Sequence, residues 1–177
     1  MITLKQVIEH ARDRGYMSGI ERDQLRIKAT SEVFTPTPLV QKLLNDCINP
    51  EDIGDDFLDP SCGDGQILTE ILIRKLERVQ KDRPITDSDF EQALKTIYGV
   101  DLMQDNVDLC RERLLCGQEQ FRHIVEQNIQ CKNALTYGFT FEPMGPARRK
   151  TEDANRSKQQ RQLEKRRNQE HQKQFFA

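Results

Sequence analysis

The sequence predicts an α/β fold built on a parallel sheet, and three observations point there. Short apolar runs at Phe57 to Asp59, Ile97 to Val100 and Ile129 to Leu135 are separated by segments whose apolar residues recur at helical spacing. The first run leads straight into a glycine turn, Pro60-Ser61-Cys62-Gly63-Asp64-Gly65. Each connection between runs holds a full helix, which suits right-handed crossovers between parallel strands.

The elements follow in order. Thr3 is a plausible N-cap for a short amphipathic helix carrying Leu4, Val7, Ile8 and Ala11 up to Gly15. The stretch Met17 to Glu32 is polar and poorly periodic. Thr35-Pro36-Thr37-Pro38 is extended, because a residue before proline is pushed out of the helical region. Pro38 suits a first helical turn, and Leu39, Val40, Leu43, Leu44, Cys47 and Ile48 form one face until Asn49-Pro50. After the glycine turn, Ile67, Leu68, Ile71, Leu72 and Leu76 mark a helix, and another fits Asp87 to Lys95. The second strand ends at Asp101. Helices over Asn106 to Cys116 and Glu119 to Gln127 precede the third strand. Tyr137 to Phe141 alternates and reads as a short strand or an ordered loop, and Pro143, Gly145 and Pro146 close the body.

Length and composition divide the 177 residues into three parts: an N-terminal helical segment (1–30), a central domain (31–146) and a polar tail (147–177). The formal net charge of −2 conceals a split, since the tail carries ten Lys and Arg against four Asp and Glu. The tail is therefore basic and the body acidic. Almost no apolar residue interrupts the tail, which predicts disorder or a solvated helix. No run of 18 apolar residues and no signal-peptide layout is present, so the expectation is a cytoplasmic protein without a membrane partner. Five cysteines, odd in number and without a CxxC pair, predict reduced thiols rather than disulfides or a zinc site.

The chemistry concentrates at Phe57 to Gly65. At the carboxyl end of a parallel strand, glycines permit close backbone approach to a ligand, and the next helix offers amide donors. Taken alone, such a turn is as often plain punctuation. Asp101 adds to it, because a carboxylate ending the next strand can accept from the 2′- and 3′-hydroxyls of a ribose over the turn. Its separation from Gly65 exceeds the roughly 20 residues of a compact dinucleotide fingerprint, and the helix over Asp87 to Lys95 supplies the excess. The bland reading is an Asp that caps the following helix. Asp105 and Asn106 stand ready for that role, which would leave Asp101 for a ligand.

These segments resemble a known family. Phe34-Thr35-Pro36-Thr37-Pro38-Leu39-Val40, Asp59 to Gly65, Tyr98-Gly99-Val100-Asp101-Leu102 and Lys132 to Tyr137 look like successive motifs of S-adenosylmethionine-dependent DNA adenine-N6 methyltransferases. The resemblance spans about residues 31 to 140, is closest to the restriction-modification type, and extends to small methylase-like phage proteins. It implies a Rossmann-like methyltransferase fold, here its N-terminal cofactor-binding half, with helices on both faces of the sheet. It also implies S-adenosylmethionine as cofactor and DNA as partner. Thr35 and Pro36, beside Phe34, would meet the methionyl part of the cofactor, and Asp59, Pro60, Cys62, Gly63 and Gly65 the methionine and ribose side. Asp101 would hold the ribose hydroxyls and Leu102 an adenine face. Asn133, followed by Ala134, stands where the family has an Asp that hydrogen-bonds the adenine amino group.

The family's [DNS]PP[YFW] tetrapeptide, which holds the flipped adenine, has no counterpart, because the chain contains no Pro-Pro. No catalytic residue is assigned. In the family the strand before the glycine turn is central, with the catalytic half on its other side. That edge of Phe57 to Asp59 is expected to be covered by Tyr137 to Phe141, a terminal helix, a second copy of the chain, or a complementing methyltransferase chain. The tail's charge suits DNA phosphates, or solvation alone. A cofactor-binding module without catalysis, acting in a methylation, restriction or anti-restriction system, is the alternative function. Cys62 and the three histidines are expected to be structural or exposed.

Overall fold

The computed structural model describes residues 2–12, 35–49 and 52–141; Phe34 and the basic tail lie outside them. Helix α1 (Leu4–Arg12) starts after Thr3, whose hydroxyl accepts from the Gln6 amide while the Gln6 side-chain oxygen accepts from the Thr3 amide. This reciprocal cap realises the expected start of the helix. Val7 and Ala11 are buried, and α1 packs on two later helices, α3 (Gln66–Asp82) and α5 (Gln104–Leu115).

Helix α2 (Thr37–Cys47) begins where expected, with extended Pro36 before it and Pro38 in its first turn. Only Val40 and Leu44 are buried, while Leu39 and Leu43 remain exposed. The apolar face read from the sequence is therefore only partly used: α2 packs on α3, and the i, i+4 pair Val40 and Leu44 is the part of that face that is buried. A 3₁₀ turn over Asp52–Gly54 leads to strand β1 (Phe57–Asp59).

Helix α3 is buried on most of its circumference, through Leu68, Ile71, Leu72, Ile73 and Leu76. It contacts α1, α2, α4 (Asp87–Lys95), α5 and strand β2 (Ile97–Asp101), which makes it the axle of the core. Thr86 and Asp89 form a capping box at the start of α4. Helix α5 ends at Leu115, with Cys116 and Gly117 both at positive φ. A 3₁₀ turn, Glu119–Phe121, then leads into α6 (Arg122–Asn128) and strand β3 (Ile129–Cys131).

The three strands are parallel in the order β1-β2-β3, with Asp59 beside Gly99 and Asp101 beside Cys131. The α/β class and the parallel pairing thus agree with the sequence reading. Gly99 lets α3 approach closely: a Cβ there would lie 2.8 Å from Leu68 Cδ1 and 2.9 Å from Cys62 Sγ.

One expectation is corrected. Strand β3 ends at Cys131 and not at Leu135, because Asn133 forms a turn. Its side-chain oxygen accepts from the Leu135 amide, and its carbonyl accepts from the Thr136 and Tyr137 amides. Helices were expected on both faces of the sheet, and the described residues show those of one face. Strand alternation puts Phe57, Ile97, Gly99 and Ile129 on the face toward α3, and Leu58, Tyr98 and Val100 on the other. Among the described residues, that second face receives no helix but the ring of Phe141, 4.8 Å from the ring of Tyr98. Two same-handed crossovers running in the same direction place their helices on one face, and α3 and α5 accordingly touch each other. Tyr137 to Phe141, read as a short strand or an ordered loop, takes the second form and adds no strand to β1. It is an irregular segment whose three rings pack on one another, with Phe141 alone reaching Tyr98.

The described residues form one compact unit. No helix among the described residues is long and apolar enough to cross a membrane.

Candidate functional site

The residues singled out by sequence meet at the carboxyl ends of the three strands. Past β1, Asp59 accepts a hydrogen bond from the Ser61 amide, and the Cys62 amide reaches across to the Val100 carbonyl. Gly63 and Gly65 both take positive φ, +52° and +81°. At Gly65 this is compulsory on two counts, since a Cβ would lie 2.5 Å from Cys110 Sγ. Helix α3 then starts without a side-chain cap, so its first amides keep the donor character expected of a ligand-facing helix start.

Asp101 joins the turn to the rest of the site. One carboxylate oxygen accepts from the Gly63 amide at 3.0 Å; the other accepts from the Met103 amide at 2.8 Å and from Asn106 Nδ2 at 3.2 Å. This overturns the expected division of labour. Asp105 and Asn106 do not relieve Asp101 of capping; Asn106 is buried and donates to it, and α5 has no side-chain cap from its N-cap residue, Met103. A carboxylate offers about four acceptor positions, so three internal bonds leave one for a ligand hydroxyl.

The other segments are tied to the same junction. The Lys132 amide donates to the Asp101 carbonyl, which brings the Asn133 turn beside β2. Asn133 is exposed, and Ala134 is half-buried. The Asn133 side-chain oxygen, expected to face an adenine amino group, already accepts from Leu135. Leu102 projects with 65 % of its surface exposed. Thr35 is half-buried and Pro36 exposed beside the start of α2, and Thr37 accepts a hydrogen bond from Gln66 Nε2 just after the glycine turn.

Two carboxyl groups share this surface. Burial pushes the Asp59 carboxyl above its ordinary range, and the neighbouring Asp101 charge adds to the effect, while the Ser61 amide opposes it. The Cys62 thiol is raised by its hydrogen bond with the Cys110 thiol and by burial. It is therefore a packed thiol rather than a nucleophile at neutral pH. All five cysteines are free.

Sequence reasoning missed the frame beneath the turn. Arg113, 4 % exposed, pairs with Asp64 at 3.1 Å and donates to the carbonyls of Asp64 and Ala11 and to the side chains of Gln66 and Thr69. The signal was available: Arg113 lies three residues after Cys110 and one before Leu114, on the apolar stripe of its own helix. Nearby, Arg12 makes a two-pronged contact with buried Glu70.

The larger hollow, about 750 Å³, lies between α2 and the later turns of α3, lined by Asn45, Arg74, Glu77 and Lys81 among others, and holds none of the predicted residues. A smaller groove of about 240 Å³ touches Asp59 and Pro60 and runs between Leu44, Ile48 and Ile67. Among the described residues no cluster of His, Cys, Asp and Glu is arranged to hold a metal ion. No family model, curated protein or solved structure matches the chain. The site is therefore argued from its own residues.

Proposed function

We propose that this chain binds S-adenosylmethionine across the carboxyl ends of its strands and serves methylation of adenine N6 in DNA. One observation carries the reading: Asp101 is bonded directly to the glycine turn, with exposed Leu102 beside it and Asn133 held next to both. That arrangement offers one remaining carboxylate position to a ribose hydroxyl, an apolar surface to a base, and helix amides to a carboxylate. Asp59, Pro60, Cys62, Gly63 and Gly65 would border the methionine and ribose, with Thr35 and Pro36 opposite. Asn133 would meet the adenine edge through its amide group, and Ala134 would pack beside it. Without a Pro-Pro-aromatic segment in the chain, the groups that hold the target base come from a complementing chain.

The same absence, together with the internal bonds on Asp101, favours a second reading in which the cofactor is bound without transfer. One experiment separates the two: isothermal titration with S-adenosylmethionine beside labelled-methyl transfer to unmethylated DNA. Leu102→Asp is the informative variant, because the exposed Leu102 side chain can change without disturbing the fold. The proposal expects binding by the wild type, weakened at least about tenfold in the variant, a difference of about 1.4 kcal/mol. Binding without transfer, alone or with a complementing chain, selects the second reading. No binding at millimolar cofactor removes both.

A further inference from the structure

The Thr35-Pro36 segment and the glycine turn are 23 residues or more apart in sequence, yet both must border the same end of a ligand in the proposed site. A specific set of side chains joins them. Gln66, only 4 % exposed, is the first residue of α3. Its side-chain oxygen accepts from Arg113 Nη2 at 2.9 Å, and its nitrogen donates to the Thr37 hydroxyl at 3.0 Å. The orientation of this amide is determined chemically. A guanidinium only donates, so the atom facing Arg113 must be the oxygen, and the nitrogen is left for Thr37. Arg113 is itself held by the Ala11 carbonyl at the end of α1 and by Asp64 within the turn.

We infer that Arg113, Gln66 and Thr37 form a positioning relay that fixes the start of α2 against the glycine turn and so sets affinity for the methionyl end of the cofactor. The inference rests on the cofactor reading above. None of the three needs to touch the ligand. Arg113 anchors Gln66, Gln66 holds Thr37, and Thr37 carries Thr35 and Pro36 with it. Through Ala11 the N-terminal helix α1 becomes part of the same frame. A buried polar side chain with both ends paired tolerates few alternative positions, because any shift leaves a donor or acceptor unmet.

The relay is serial, and that gives it a distinctive signature. Gln66→Leu and Thr37→Val each break the same link, so each should weaken S-adenosylmethionine binding by about tenfold, and the double variant by no more than either single. Gln66→Glu should stay within about threefold of wild type, since its carboxylate accepts from Arg113 and from the Thr37 hydroxyl. A second readout needs no cofactor. The Leu39 and Val40 amides, bonded to the Pro36 carbonyl in the first turn of α2, should exchange with solvent faster in Gln66→Leu and Thr37→Val and at the wild-type rate in Gln66→Glu. Titration calorimetry and amide exchange on the full chain give both. Additive losses, or unchanged exchange in the two breaking variants, overturn the relay. Faster exchange with unaltered affinity overturns its positioning role. A wild type that binds no cofactor removes the functional reading, while the exchange result still decides the relay.

Discussion

Replacing Arg113 with methionine would test whether the glycine turn is held by its buried frame. Arg113 and Asp64 are 4 % and 1 % exposed, and the pair lies at 3.1 Å. Methionine keeps most of the volume and removes the cation, so the buried Asp64 carboxylate loses the guanidinium beside it. The Ala11 carbonyl, Gln66 and Thr69 lose a donor at the same time. Removing one member of a buried pair costs about 3–5 kcal/mol, against a total stability of about 5–15 kcal/mol for a domain of this kind. Urea unfolding followed by circular dichroism should therefore show a large fall in midpoint with an unchanged slope. Asp64→Asn in the same background should recover part of the loss, because a neutral amide is cheaper to bury than a carboxylate that has lost its guanidinium. A loss below about 1 kcal/mol for Arg113→Met, or a double variant less stable than the single, would refute the reasoning.

Other consequences are open to direct measurement. Gly65→Ala combines a left-handed backbone, costing about 1–2 kcal/mol for a side chain, with a Cβ 2.5 Å from Cys110 Sγ. Thermal unfolding should show a fall of several degrees, and a wild-type melting temperature would argue against this packing of the turn. Gly99→Ala would press on Leu68 and Cys62 and should cost about 1–3 kcal/mol by overpacking. Lys75 donates to the Ile53 and Asp55 carbonyls, and burial lowers its amine to about 8 despite the nearby Asp56 and Asp55. Its unfolded form keeps the proton up to the ordinary lysine range, so across pH 8 to about 10 the unfolded chain binds more protons and this group's contribution to stability rises with pH. The difference in unfolding free energy between wild type and Lys75→Met should move in favour of wild type over that window; a pH-independent difference would show that the amine is not depressed.

The strands and helices were legible because each element carries its own period. Leu68, Ile71, Leu72 and Leu76 mark α3 without help from tertiary structure, as does Thr3 for the start of α1. The parallel pairing followed from the helices between the runs. What escaped the sequence depends on groups distant along the chain. The end of the third strand is the exception: Asn133, a turn-forming residue, bends the chain locally onto Leu135, and Cys131 to Leu135 has no proline or glycine to mark the place. That the helices of both crossovers lie on one face is a property of strand order, which a run of alternating elements does not specify. Within the site, the positions of Asp59, Gly63, Gly65 and Asp101 were readable from strand ends and glycines. Asp101's commitment to Gly63, Met103 and Asn106 was not, because it belongs to a three-dimensional junction rather than to a motif. Leu39 and Leu43 were read as core because their spacing fits, yet the neighbouring helix covers only the Val40 and Leu44 stripe.

The central claim is that an adenosine-bearing cofactor lies across the strand ends. Nuclear magnetic resonance titration of the full, isotope-labelled chain with S-adenosylmethionine addresses it residue by residue. The account predicts saturable shifts gathered at the amides of Gly63, Gly65, Asp101, Leu102 and Asn133, with the hollow around Asn45 and Glu77 undisturbed. Saturable shifts gathered in that hollow instead, or none at millimolar cofactor, would contradict it.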